Sequence, residues 1–332
     1  MLSRVAESVY WMGRYIERAE NVARFIDVTL YMMLDSPGGS EYWSPLVTTT
    51  GDQDYFKEHY GKPTRENVMK FLTFDREYPS SIISCLRNAR ENARSVREVI
   101  SSEMWEQINS FYLTVNEAAG NSGEGAIESP LAFFNQVKTN SHLFIGTMET
   151  TMTHGEAWHF ARLGRSLERA DKTSRILDVK YYILLPKAQD VGTPVDEMQW
   201  AAVLRSASAF EMYRKKYHRI SPDTVVEFLV LDRYFGRSIH FCLHRALESL
   251  HSISGTPPGT YHNSTERLLG KIRSEMAYTE VEEVIKGGLH EYIDSLQTKL
   301  NDVGSSISET FFAMRPLESF QSQTQIFYTK KP

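Results

Sequence analysis

Gly13, Glu17, Glu20, Arg24, Asp27 and Tyr31 are spaced 4, 3, 4, 3 and 4 residues apart. On an α-helix that spacing gathers them on one face. The same pattern returns at Gly164, Glu168, Asp171, Arg175, Asp178 and Tyr182, with Asp for Glu at one place. Arg14 and Arg18 flank the first set, and Arg165 and Arg169 the second, so each set offers three arginines against three acids. Three kinds of chemistry fit. The acids and arginines can pair across two neighbouring helices, because the planar guanidinium fork holds carboxylates bidentately. They can instead line a cleft that grips an amino-acid, peptide or phosphate group, or a metal. Or they can form a surface for a partner. The placement of Glu17 and Glu168 decides: sealed in a paired core, or open to a pocket.

Weaker candidates accompany this seam. Asp75–Arg76 and Asp232–Arg233 each precede a helical stretch, as an acid near a helix N-terminus would, with the arginine bridging to a neighbouring helix. Glu103 and Glu275 are read as seam partners or further ligands. His154, Glu156 and His159 resemble a scrambled zinc-protease motif, but the histidines are five apart, whereas that motif needs four. Glu156–His159 and Glu248–His251 also have the Glu-x-x-His form of di-iron bundles, yet both fall in the second half of the chain. No metal or cofactor is expected. Cys85 and Cys242 lie on apolar stripes and read as core residues.

The elements that position these residues come from a repeat. GRYIERAENVARFIDV (13–28) and GRSLERADKTSRILDV (164–179) share eight of 16 residues at an offset of 151. FLTFDREYPSSIISCLRNARE (71–91) and FLVLDRYFGRSIHFCLHRALE (228–248) share ten of 21 at an offset of 157. A fainter echo sets Ile100, Ser102, Glu103 and Met104 against Ile272, Ser274, Glu275 and Met276. The order is preserved, which argues for a tandem duplication packed about a pseudo-twofold axis. We divide the chain into a first helical repeat at 1–117, a linker and extra helix at 118–151, a second repeat at 152–311 and a tail from 312, with the repeats sharing one core.

Apolar residues recur at helical steps and strand alternation is almost absent, which predicts an all-α bundle. A first helix of about 30 residues should end at Ser36, Pro37 and Gly38, and its counterpart near Leu185 and Pro186. Further helices are expected at 41–60, 65–74, 80–117 and 130–152, then from about 196, 223, 237 and 264. The chain has 332 residues, 24% of them charged, a net charge of -5 and a pI of about 6.1. That leaves no broad cationic surface for nucleic acid. No apolar run is long enough to span a membrane. The charged start does not read as a secretory signal, so a cytoplasmic location is expected.

AESVYWMGRYIERAENVARFIDV, FDREYPSSIISCLRNARENARSVREVISSEMWEQIN and HGEAWHFARLGRSLERADKTSRILDVKYYILLP together resemble the alpha-E family, bacterial all-helical domains named for a Glu-Arg motif. The resemblance places that motif on Glu17–Arg18 and Glu168–Arg169. It implies a companion of a circularly permuted ATP-grasp protein, alongside transglutaminase-like proteins, in ATP-dependent amide or peptide bond formation. This chain would be the helical partner, docking the ligase or holding its substrate. One alternative is an enzyme in its own right, with a carboxylate-lined or metal-binding site inside the bundle. Another is a structural homo-oligomer.

Overall fold

The long first helix, α1 (Ser3–Asp35), is buried on more than its apolar stripe. Val9, Met12, Ile16, Ala19, Ala23 and Ile26 are inaccessible, and so are Glu17, Glu20, Asn21 and Arg24. A helix enclosed on its polar face as well must lie at the centre of the molecule. In the computed structural model, which describes residues 1–35, 43–121, 129–184 and 193–313, that centre is shared with α8 (Glu156–Leu184).

All the elements among the described residues are helical. Between the two long helices come α2 (Trp43–Thr50), α3 (Gln53–Tyr60), α4 (Arg65–Phe74), α5 (Ile82–Ser95), α6 (Ser102–Asn121) and α7 (Pro130–Thr151). After α8 come α9 (Pro194–Ser206), α10 (Phe210–Lys216) and α11 (Pro222–Val226), the last continued by a π-helical turn, Glu227–Leu231. The chain then forms α12 (Ile239–Ser254), α13 (Ser264–Tyr278), α14 (Val281–Gly287), α15 (Leu289–Ile307) and a second π-helical turn, Ser308–Phe312. Helix α5 packs on α1, and α12 on α8. Helices α6 and α7 cover the α1 side, α13 and α15 the α8 side. The short helices cross over, with α9 reaching α1 and α2 reaching α8.

Two glycines set the central contact. A Cβ on Gly13 would meet the Ala161 carbonyl oxygen at 2.5 Å, and one on Gly164 would meet that of Tyr10 at 2.3 Å. The backbones therefore touch where a side chain would hold them apart. One turn further along both helices, Glu17 and Arg18 face Arg169 and Glu168, so the contacts advance together and the helices run parallel. Serine caps fix the flanking helices: Ser81 accepts from the Ser84 amide at the start of α5, and Ser238 from the Phe241 amide at the start of α12.

Several expected boundaries move. The single helix expected at 41–60 divides at Gly51, whose φ of 80° suits glycine, into α2 and α3. The one expected at 80–117 divides into α5 and α6. Residues 118–121, expected in a linker, complete α6. Phe312, placed at the start of a loose tail, is buried, with its ring 5.4 Å from that of Tyr10. Helices α14 and α15 were not anticipated. Residues 36–42, 122–128, 185–192 and 314–332, with the expected helix stops, the rest of the linker and the tail, lie outside the described residues, as does the Tyr182 side chain.

Close approach at the crossing yields a contrast between glycines. Gly164→Ala should lower the unfolding free energy by about 1–3 kcal/mol, the usual range for overpacking. Gly146→Ala, in the interior of α7 with open space where its Cβ would lie, should raise it by about 0.5–1 kcal/mol. Urea denaturation of both variants checks this; a Gly164 variant as stable as wild type would contradict the crossing.

Candidate functional site

Where α1 and α8 leave the glycine crossing, their Glu-Arg pairs exchange partners. Arg18 donates to Glu168 through Nε at 2.6 Å and Nη2 at 3.1 Å. Arg169 donates to Glu17 through Nε at 2.8 Å and Nη2 at 2.7 Å. Each carboxylate thus receives a bidentate fork from the other helix. Both glutamates are wholly inaccessible, while the arginines keep about a sixth of their side chains exposed. Burial works to raise both carboxyls, but the facing guanidinium groups prevail: Glu17 is held below its usual range and Glu168 well below.

The remainder of the seam turns outward. Glu20 accepts from Arg24 on its own helix and from Ser141 of α7 at 2.6 Å, and it is ion-paired with Arg237. Arg24 continues to the Ser206 carbonyl at 2.9 Å and Ser208 Oγ at 2.7 Å. In parallel, Arg175 donates to Asp171 at 3.1 Å and to the Thr49 carbonyl at 3.2 Å. Asp171 is held at about 2: burial opposes this, but Lys172 and Arg175 outweigh it. Asp27 pairs with Lys138 of α7, and Asp178 with His290 at 3.1 Å and Gln297 at 3.0 Å of α15. Burial raises both of these aspartates despite their partners. The expected balance of three arginines against three acids across the two long helices therefore holds only for the central turn. Beyond it, Asp27 and Asp178 are matched by the outer helices.

The two halves of the clasp differ in one exchange. Arg14 joins Arg18 on Glu168, with Nε at 2.7 Å, and Lys172 stands 3.6 Å away. On Glu17 the corresponding place is taken by Arg237, which lies 3.4 Å from Glu17 and 3.2 Å from Asn21. At the offset of 157, Arg237 matches Ser80; at 151, Lys172 matches Asn21. Glu168 thus has three cations around it, Arg14, Arg18 and Lys172, whereas Glu17 has two, Arg169 and Arg237, with the Asn21 amide donating at 2.9 Å. Arg165, the counterpart of Arg14, is left off Glu17. Arg237, Lys138, Lys172, Ser141, His290 and Gln297 were not anticipated, because comparing the halves finds only what both retain. The one usable signal was the break within a matched stretch, PSSI against GRSI.

The secondary candidates stay apart from the clasp. Asp75 and Asp232 are not at the N-termini of α5 and α12, which Ser81 and Ser238 occupy. Each instead accepts from two amides of the turn that follows it, Glu77 and Tyr78 or Tyr234 and Phe235. Arg76 and Arg233 bridge as expected, to Asn116 of α6 and the Ala277 carbonyl of α13. Glu103 opens α6, whereas Glu275 lies near the end of α13, paired with Lys299. Both are exposed, and the positional echo between them matches no common place in the fold. His154 stacks on Trp158, Glu156 binds the Met1 amino group at 2.8 Å, and His159 sits edge-on to Trp158. Among the described residues no three His, Cys, Asp or Glu side chains gather closely enough to hold a metal. Cys85 and Cys242 are free and buried, each pushed up to about 12 by desolvation.

Three cavities border this framework. The largest, about 710 Å³, lies between α12, α13 and their connecting loop, with Arg162, His244, Glu248, His251 and Arg267 on its walls. A cleft of about 210 Å³ exposes the outer sides of Arg14, Arg18, Lys172 and Arg175 beside Asp171. One of about 120 Å³ lies over Arg165 and Arg169.

Loss of one glutamate would strand several buried cations. Glu168→Gln should cost about 3–5 kcal/mol at pH 7, the range for breaking a buried pair from one side. Because Glu17, Glu20, Glu168 and Asp171 are held below their unfolded values, their contribution is fully present above about pH 4.5 and falls as the medium is acidified. The Gln variant should lose stability less steeply than wild type below that pH. Urea titrations at pH 7 and at lower pH check both points; parallel pH curves with little loss at pH 7 would contradict the clasp.

Residues 1–312 match the Alpha-E family, described as a predicted alpha-helical domain with a conserved ER motif. Uncharacterized proteins of Mycobacterium bovis and Mycobacterium tuberculosis are each 22% identical to this chain over 336 residues. Those matches cover 94% of this chain but 37% of the relatives, so the chain spans little more than a third of their length. No solved structure matches it. Among the described residues no helix is long and apolar enough to cross a membrane. With a match running through both long helices and both Glu-Arg pairs, the chain belongs to the Alpha-E family.

Proposed function

We propose that this protein is a helical partner in an ATP-dependent amide- or peptide-forming system, serving a ligase of the circularly permuted ATP-grasp type as a rigid docking or substrate-holding subunit. The observation that carries this reading is the saturation of the clasp. Glu17 and Glu168 are inaccessible and fully engaged by arginines, so neither is free to take or give a proton to a substrate. The seam's chemistry is used to fix two helices in register, which buried ion pairs do well even when they add little net stability. A role based on shape and surface suits such a bundle better than acid–base catalysis by these carboxylates. In the mycobacterial relatives the matched region is joined to a longer stretch of chain, which fits a unit that works beside others.

The bundle itself we read as a tandem duplication. The support is positional: Thr49 and Ser206, which receive Arg175 and Arg24 through their carbonyls, are 157 residues apart, as are the capping serines 81 and 238 and the turn-bracing aspartates 75 and 232. Glycines 13 and 164 and the two Glu-Arg pairs share the offset of 151. A transglutaminase-like protein belongs to the same proposed system as a further partner, and the setting is bacterial and cytoplasmic.

Co-expression with the ATP-grasp protein tests the reading. A complex of defined mass should elute together in size-exclusion chromatography, and ADP release coupled to amide formation should depend on this chain. A ligase that is fully active alone and forms no complex would refute the proposal.

A further inference from the structure

Arg165 is the member of the seam that its own half does not use. Its counterpart Arg14 is bound to Glu168 at 2.7 Å, whereas beside Glu17 the second guanidinium is that of Arg237, at 3.4 Å. Among the described residues, Nη1 of Arg165 is buried and has no hydrogen-bond partner. Nη2 is ion-paired with Glu149 at 3.6 Å, beyond hydrogen-bond length. The side chain is 12% exposed. Burial, and then the neighbouring charge of Arg169, pull it down to about 10, against the upward shift of Arg14. A guanidinium so enclosed is costly unless something accepts its hydrogens.

The space it faces is suited to that acceptor. Arg162, Arg165, Arg169 and Arg245 line a cavity of about 120 Å³ between α8 and α12, with Ser166 and Phe241 beside them and no carboxylate on its wall. Three of the arginines are anchored from behind: Arg169 by Glu17, Arg162 by Ser249 Oγ at 2.7 Å, and Arg245 by Glu248 at 2.9 Å. These anchors orient the guanidinium planes. At about 120 Å³ the cavity is small enough to suit a single anionic group rather than a whole large ligand. Arg245 is 40% exposed, which leaves the cavity an open side through which the rest of a ligand can extend. The 210 Å³ cleft is also cationic, but there a carboxylate, Asp171, stands on the wall itself, held by Lys172 and Arg175.

We propose that this arginine cavity is a binding site for one oxyanion, the carboxylate or phosphate group of a small ligand or peptide end, gripped by Arg165 and Arg169 and closed at its mouth by Arg245. Arginine suits the task because its fork matches both anion geometries and stays charged. Arg237 is the positioning residue: by occupying the place beside Glu17, it frees Arg165 for the ligand. The inference does not depend on the ATP-grasp reading, since it concerns affinity for an anion rather than a protein partner.

Titration calorimetry and thermal unfolding of the full chain, at constant ionic strength, test it with inorganic phosphate and with acetate as separate probes and sodium chloride as the reference. Saturable binding of phosphate or acetate, with a rising unfolding temperature, is expected, and whichever acts identifies the anion class. Arg165→Met should bind about tenfold or more weakly, the loss expected for a hydrogen bond to a charged group. In anion-free buffer it should unfold at or above the wild-type temperature, because a buried donor with no acceptor has been removed. Arg245→Met, at the exposed mouth, should bind several-fold more weakly with the fold intact. Equal stabilisation by chloride, binding unchanged in both variants, or an Arg165→Met protein that is destabilised without anion would each overturn the proposal.

Discussion

The architecture turns on two carboxylates placed where water cannot reach them. Glu17 and Glu168 remain ionised only because each is gripped by arginines across the helix pair, and the arginines reach them only because Gly13 and Gly164 let the backbones meet one turn earlier. Neither condition works alone. Close helices without cations would bury unmatched charge, whereas the same charges on distant helices would be hydrated and indifferent to register. The apolar core fills the remaining volume, but it does not select which residue of α1 faces which residue of α8.

From that turn outward the molecule spreads in matched pairs. The arginines at 24 and 175 reach past their own helices to carbonyls at the ends of α9 and α2, so the short helices are held by the opposite half's long helix. The acids at 27 and 178 reach the outer helices α7 and α15. The centre and the periphery are therefore continuous through polar contacts, with the cysteines and aromatic clusters packed between. Where the halves part company, at Arg237 against Ser80, Arg165 stays off Glu17 and lines a small cavity instead.

Much of this was legible in the residues. The helical class followed from apolar spacing, and the importance of the central turn from the recurrence of Glu-Arg at 17–18 and 168–169. Glycine at 13 and again at 164 agrees with the close approach found there. What could not be read was direction: a face of six residues on a helix says nothing about whether Asp27 looks toward α8 or α7, since that depends on how fast two rods diverge after they cross. Turns such as that at Gly51, which divide one periodic stretch into two helices, preserve the apolar rhythm and so leave little trace. The displaced Arg165 was visible as a residue but not as a site, because its significance lies in a neighbour present in only one half.

The reciprocal clasp also ties the fate of distant codons together. A change at position 18 is felt at position 168, and one at 169 is felt at 17, with some 150 residues of chain between. A charge lost on one long helix therefore leaves its answer buried and alone on the other.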